Sequence, residues 1–172
     1  VEKPNRKGKT VKGWYFNNPA DAKEWTASEG LKNVKVENGM LSGEIVSPDG
    51  YLELNVPMSL DCKDIAYIRT KIKLEDCDFM FYRYQYITKS DDTWNKEKSV
   101  RMYVSEATVE ECYVETYDKK SWQDEVTKIR FYPAEKQGRF YIESIELLEY
   151  DVIPTRVYAG GEERKFFTEP II

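Results

Sequence analysis

The first residues to weigh for chemistry are the acids of IESIELLEY, where Glu143, Glu146 and Glu149 crowd one segment. Two carboxyl groups facing each other across a cleft, one protonated and one ionised, are enough to hydrolyse a glycoside. The spacing argues against that use. Successive side chains of a strand point to opposite faces, so acids three apart fall on opposite sides. They read as structural or solvated acids, and no catalytic residue is assigned. The chain has no histidine. It therefore lacks the commonest general base and the imidazole metal ligand, and a Ser-His-Asp or Cys-His site is ruled out. Gly160-Gly161 alone does not make a phosphate-cradling loop.

A second set of residues suits binding better. In VTKIRFYPAEKQGRFYIESIELLEY, residues 126–150, Ile129 and Phe131 share one side of a strand while Lys128, Arg130 and Tyr132 share the other. The same alternation elsewhere sets Tyr67, Arg69, Arg83, Gln85, Arg101 and Tyr103 outward. If the strands stack into one sheet, these residues form a long face of aromatic rings mixed with forked donors. Tyr and Trp rings stack on the apolar C–H face of a pyranose, Arg and Gln donate to hydroxyls, and Arg clamps a carboxylate or sulfate. Trp94, in the polar loop segment DDTWNK, would be the lip of such a site. The alternative is a solvated sheet on which Arg pairs with Glu115 and Tyr packs across strands.

Metal sites are less defined. Cys62, Cys77 and Cys112 fit no zinc spacing and read as small, partly buried apolar residues, with a Cys62–Cys77 bridge left open. A structural calcium could be held by carboxylates from segments far apart in sequence. The candidate ligands are Asp21, Glu24, Glu143 and Asp151, without a local motif to join them.

The elements that would position these residues are mostly strands. The chain has 172 residues, 41% apolar and 33% charged, which suits one soluble globular domain. Its formal net charge of −5 argues against a general nucleic-acid binder. No run approaches the length of a membrane span. About ten short segments alternate apolar and polar residues between turn signals. Asn38-Gly39 predicts a hairpin, and Asp49-Gly50 is read the same way. The segment 79–87, FMFYRYQYI, reads as a central strand. PADAKEW predicts a helical turn with Trp25 packing inward; Trp14 joins it in the core, and Trp122 folds back over one end. The expected fold is all-β, a two-sheet antiparallel β-sandwich of jelly-roll type. Residues 1–10 read as an N-terminal linker and 11–150 as the sandwich. Residues 151–172 read as a C-terminal linker or docking arm, because Phe166, Phe167, Ile171 and Ile172 favour docking.

The order of these signals carries a resemblance. Trp14-Tyr15-Phe16, Trp25, ENGMLSG (37–43), DGYLEL (49–54), IRTKIK (68–73), Trp122, IRFYP (129–133), Gly138 and FYIESIELLE (140–149) follow one another. Over roughly residues 11–150 the chain resembles the jelly-roll carbohydrate-binding modules appended to bacterial polysaccharide-degrading enzymes. The resemblance implies a non-catalytic module that holds a partner enzyme near polysaccharide or oligosaccharide. It also implies a secreted or cell-surface setting, neighbouring domains in a parent protein and, in many relatives, a structural calcium. The sequence departs from the pattern at Glu143, where many relatives have Asp, and in DGYL, which lacks a following proline. The Arg-rich face is more charged than a plain cellulose binder needs. The competing reading is a structural or protein-docking sandwich without glycan binding.

Overall fold

The computed structural model describes residues 8–77, 81–104 and 108–150, together with the backbone of Arg156–Val157 and Glu163–Arg164. In chain order the elements are β1 (Thr10–Tyr15), α1 (Pro19–Ala22), β2 (Trp25–Ala27), β3 (Leu31–Glu37), β4 (Met40–Ile45), β5 (Leu52–Leu54) and β6 (Leu60–Asp61). Then follow β7 (Tyr67–Glu75), β8 (Phe81–Thr88), β9 (Ser99–Tyr103), β10 (Glu110–Glu115), β11 (Glu125–Tyr132) and β12 (Gly138–Leu148). One antiparallel sheet, A, runs β10-β7-β12-β4-β3, with β1 continuing the β4 row along β12. The other, B, runs β2-β5-β11-β8-β9, with β6 beside β11. The two sheets pack face to face as a jelly-roll sandwich, as the alternation predicts.

Alternation explains the packing strand by strand. In β7 the inward set is Ile68, Thr70, Ile72 and Leu74, all buried, while Arg69, Lys71 and Lys73 stay partly exposed. In β8 the inward set is Tyr82, Tyr84 and Tyr86, also buried. Buried tyrosine needs a partner for its hydroxyl. Tyr84 meets the Thr70 hydroxyl of the facing sheet at 2.5 Å, and Tyr86 meets Ser121 at 2.5 Å. Tyr82, Tyr84 and Phe131 pack ring against ring with centroids 5.0–5.8 Å apart.

The tryptophans assigned to the interior lie there. Trp14 and Trp25 meet edge to face at 5.2 Å, brought together by α1, whose first turn is capped by the Asn18 side chain accepting from the Ala20 amide. Trp122 closes one end of the sandwich. Its indole N–H is shared by the carbonyls of Cys62 and Ile65 at 3.0 and 2.9 Å.

Two turn readings separate. Asn38 and Gly39 both adopt positive φ, 54° and 77°, and join β3 to β4 as a tight hairpin. Asp49-Gly50 does not make a hairpin. It carries the chain from β4 in sheet A to β5 in sheet B, and Gly50 is required there because the Gly30 backbone lies where its Cβ would sit. Of the segment 79–87, residues 81–87 form an interior strand of sheet B, since β8 lies between β11 and β9, and residues 79–80 lie outside the described residues. All three thiols stand outside any disulfide, so the Cys62–Cys77 bridge is not formed. The proposed C-terminal arm lies outside the described residues, apart from a short antiparallel pairing of Arg156–Val157 with Glu163–Arg164.

Candidate functional site

The outer face of sheet B is a grid set by strand register. Side chains at paired positions of neighbouring strands stand side by side on one face. Phe81 pairs with Tyr103 in the first row. The second row is Tyr132, Arg83 and Arg101, and the third is Glu53, Arg130, Gln85 and Ser99. Lys128 pairs with Ile87 in the fourth. This register brings Arg83, Gln85, Arg101, Tyr103 and Arg130 together on one surface, as the alternation predicts.

Each arginine of the face lies on a ring. Arg130 sits 4.2 Å from the Tyr51 ring centre and 4.0 Å from that of Trp94, so it is held by both. Arg83 lies 4.0 Å above Tyr132, and Arg101 lies 4.9 Å from Phe81. Such contacts fix a guanidinium by its flat side and leave its N–H edge for in-plane acceptors. Arg130 uses part of that edge on Glu53 at 2.7 Å. Tyr132 donates to the Gln85 amide oxygen at 3.2 Å, and Tyr51 packs on Tyr132 at 5.4 Å.

Trp94 reaches this surface on a loop built from short polar bonds. The Asp91 carboxylate accepts from the Thr93 amide at 3.2 Å and hydroxyl at 2.6 Å, and from Asn95 at 3.4 Å. Lys98 is buried, yet its ammonium meets the Asp91 carbonyl at 2.6 Å and carboxylate at 3.1 Å. The Thr93 hydroxyl first, then Lys98, holds the Asp91 carboxyl down to about 2. Beside the loop runs a groove of about 720 Å³ lined by Glu53, Asn55, Pro57, Met58, Asp92 and Lys128, among others. That volume is in the range of small-ligand sites.

No family model matches the sequence, and no curated protein matches it. Solved structures do match. A glutamate-to-arginine variant of a family 29 carbohydrate-binding module aligns over 79% of this chain and 89% of its own, with a TM-score of 0.57 and 13% identity. A lysine-to-alanine variant from the same family, complexed with cellulohexaose, aligns over 80% of this chain and 92% of its own, with a TM-score of 0.54 and 13% identity. The fold is that of carbohydrate-binding modules.

Tyr67 and Arg69 do not belong to the arginine-bearing face of sheet B. They lie on β7 of sheet A, on the opposite side of the sandwich. Alternation gives the side of a strand, but not the sheet to which the strand belongs. Arg69 is engaged in a fork with Glu146, at 2.8 and 2.9 Å, and the same carboxylate accepts from Tyr15 at 2.8 Å and Thr10 at 3.1 Å. Burial pushes the Glu146 carboxyl up, but these donors more than offset it and hold it below its ordinary value. Tyr67 packs with Tyr117 and Tyr150 at 5.7 and 5.9 Å.

Three of the calcium candidates have protein partners. Asp21 accepts from the Tyr15 amide at 2.8 Å, Glu24 from the Trp14 indole at 3.0 Å, and Glu143 faces Lys71 at 3.8 Å. Asp151 lies outside the described residues. Among the described residues, no group of three or more acids or cysteines converges as a metal site. Arg130, Arg101 and Arg69 form ion pairs with Glu53, Glu135 and Glu146 respectively.

Several residues of the face escaped the sequence reading. Phe81 carried a usable signal, since alternation through FYRYQ puts it beside Arg83. Tyr51, Glu53 and the groove segment 55–58 carried none, because their place depends on β5 pairing with β11.

Proposed function

We propose that this protein is a non-catalytic carbohydrate-binding module and that the outer face of sheet B holds a polysaccharide or oligosaccharide chain. The carrying observation is the cluster of Trp94, Arg130 and Tyr51, stacked at 4.0 and 4.2 Å beside a groove of about 720 Å³. Rings held flat by a guanidinium supply a rigid stacking surface, and Gln85, Lys128 and the free edges of the arginines supply donors to hydroxyls. The likeness in fold to a module crystallised with cellulohexaose is consistent with this use of the scaffold.

The module would act as a targeting part of a larger secreted or cell-surface protein, bringing an appended glycan-active enzyme to its polymer. Catalysis is not part of the reading. Acids three apart are expected on opposite sides of a regular strand, but a β-bulge between Ile142 and Ser144 brings both toward the outer face of sheet A. There Glu146 is buried against Arg69 and exposed Glu143 faces Lys71, so each carboxylate has a cation beside it.

Affinity electrophoresis in native gels containing plant or microbial polysaccharides tests the proposal. The protein is expected to be retarded by at least one polymer. Trp94→Ala should weaken that binding by about 0.5–1.5 kcal/mol, roughly two- to tenfold, without lowering the melting temperature. Unretarded migration through every polymer would remove the reading.

A further inference from the structure

Two arginines stand directly opposite each other on sheet B. Arg83 of β8 is the register partner of Arg101 of β9, and both side chains lie on the outer face. Like charges directly opposite across a ladder are destabilising. A sheet surface free to vary would place an acid at one of the two positions.

The described acids compensate the pair only in part. Arg101 reaches Glu135 at 3.2 Å, but its side chain is 62% exposed and that contact is open to water. Arg83 has no carboxylate partner among the described residues, and its flat side is taken by Tyr132 at 4.0 Å. Lys128, also outward, has none either. Arg130 has a closer and less exposed acid, Glu53 at 2.7 Å. The rows carry four cations, Arg83, Arg101, Lys128 and Arg130, with Glu53 the one acid among the named grid positions and Glu135 and Asp92 beside them, on a chain of net charge −5. Next to the pair, Tyr103 is 53% exposed and lies 5.2 Å from the Phe81 ring. An open aromatic platform thus adjoins two guanidinium groups fixed by their faces.

Building on the proposed glycan-binding reading, we infer that this surface selects an anionic glycan. A pyranose would stack at Tyr103 and Phe81, with its carboxylate or sulfate between Arg83 and Arg101. The anion supplies the negative charge that the ladder lacks, and two guanidinium edges match the paired oxygens of either group. A neutral glucan would leave the repulsion in place.

The test is affinity electrophoresis of the full chain against polygalacturonate, the same polymer after reduction of its carboxyl groups, dextran sulfate, and a neutral glucan. Retention on polygalacturonate or dextran sulfate is expected, and the two arms separate carboxylate from sulfate recognition. Carboxyl reduction should abolish retention on the first polymer. Arg83→Gln and Arg101→Gln should each weaken anionic retention by about tenfold. Lys73→Gln, on the opposite sheet, should leave it unchanged and so controls for general charge. Added salt should weaken anionic binding. Equal retention on the native and reduced polymers, with both arginine variants unaffected, would overturn this inference while glycan binding itself stood. Retention by none of these polymers would overturn this inference, and glycan binding itself falls only if the wider panel of plant and microbial polysaccharides also fails to retard the protein. Melting curves of the two variants, expected to match or exceed the parent because a repulsion is relieved, distinguish lost recognition from lost folding.

Discussion

Glu146 shows how one residue's role follows from its neighbours. Its carboxylate is 5% exposed and takes donors from Arg69, Tyr15 and Thr10. Removing one member of a buried pair leaves the other charge stranded, at a cost of about 3–5 kcal/mol. Glu146→Gln should therefore lower stability by about 3 kcal/mol in urea melts, whereas Arg69→Met with Glu146→Leu should recover much of it. The pH dependence follows from the direction of the shift. A carboxyl held below its ordinary value stabilises the fold above the unfolded-state pKa and loses that contribution as pH falls through the folded one. The parent should lose stability more steeply than Glu146→Gln between about pH 5 and about pH 3. The glutamate was visible in the sequence. Its partner was not, because Arg69 lies 77 positions away and was grouped with the arginines of the other sheet.

At the scale of elements, the Trp94 loop and the β3–β4 hairpin depend on different physics. The loop stands on Asp91, whose carboxyl is held down at about 2 by the Thr93 hydroxyl and Lys98. Its anchoring is complete above the ordinary carboxylate pKa and fades as pH falls below it toward about 2. Asp91→Asn is expected to free Trp94, raising its fluorescence quenching by iodide and weakening glycan retention, with the far-UV circular dichroism of the sandwich unchanged. The hairpin stands on backbone conformation. Gly39→Ala forces a side chain into φ near 77°, and a loss of about 1 kcal/mol in chemical denaturation is expected. Asn38-Gly39 was legible because a two-residue turn with positive φ has a distinctive composition. Asp49-Gly50 carries similar residues, yet it crosses between sheets. Local turn chemistry sets the bend but not the destination of the next strand.

For the molecule as a whole, the sandwich interior protects two of its three thiols, Cys62 and Cys112. Burial, reinforced by nearby acids, raises Cys62 to about 12 and Cys112 to about 11. Cys77 is only half-buried. Iodoacetamide at about pH 8 should modify Cys77 first, with Cys62 and Cys112 reacting only after denaturant is added. Mass spectrometry of peptides from the native protein reads this directly. Rapid labelling of Cys62 in the native state would contradict the packing at the Trp122 end, where Cys62 supplies one of the carbonyls that hold the indole.

The sequence alone determined that the chain forms strands, which side of each strand is apolar, where Asn38-Gly39 turns, and that Trp14, Trp25 and Trp122 lie inside. These properties are local, since a period of two and a turn's backbone angles depend only on neighbouring residues. Tertiary structure decided which strands share a sheet. It divided one supposed wall into two opposite faces, sent Arg69 to Glu146, set Tyr51 and Glu53 beside Arg130, and placed Arg83 opposite Arg101. Pairing between distant strands is fixed by the packing of the whole core and by chain connectivity, and no stretch of sequence carries that information by itself.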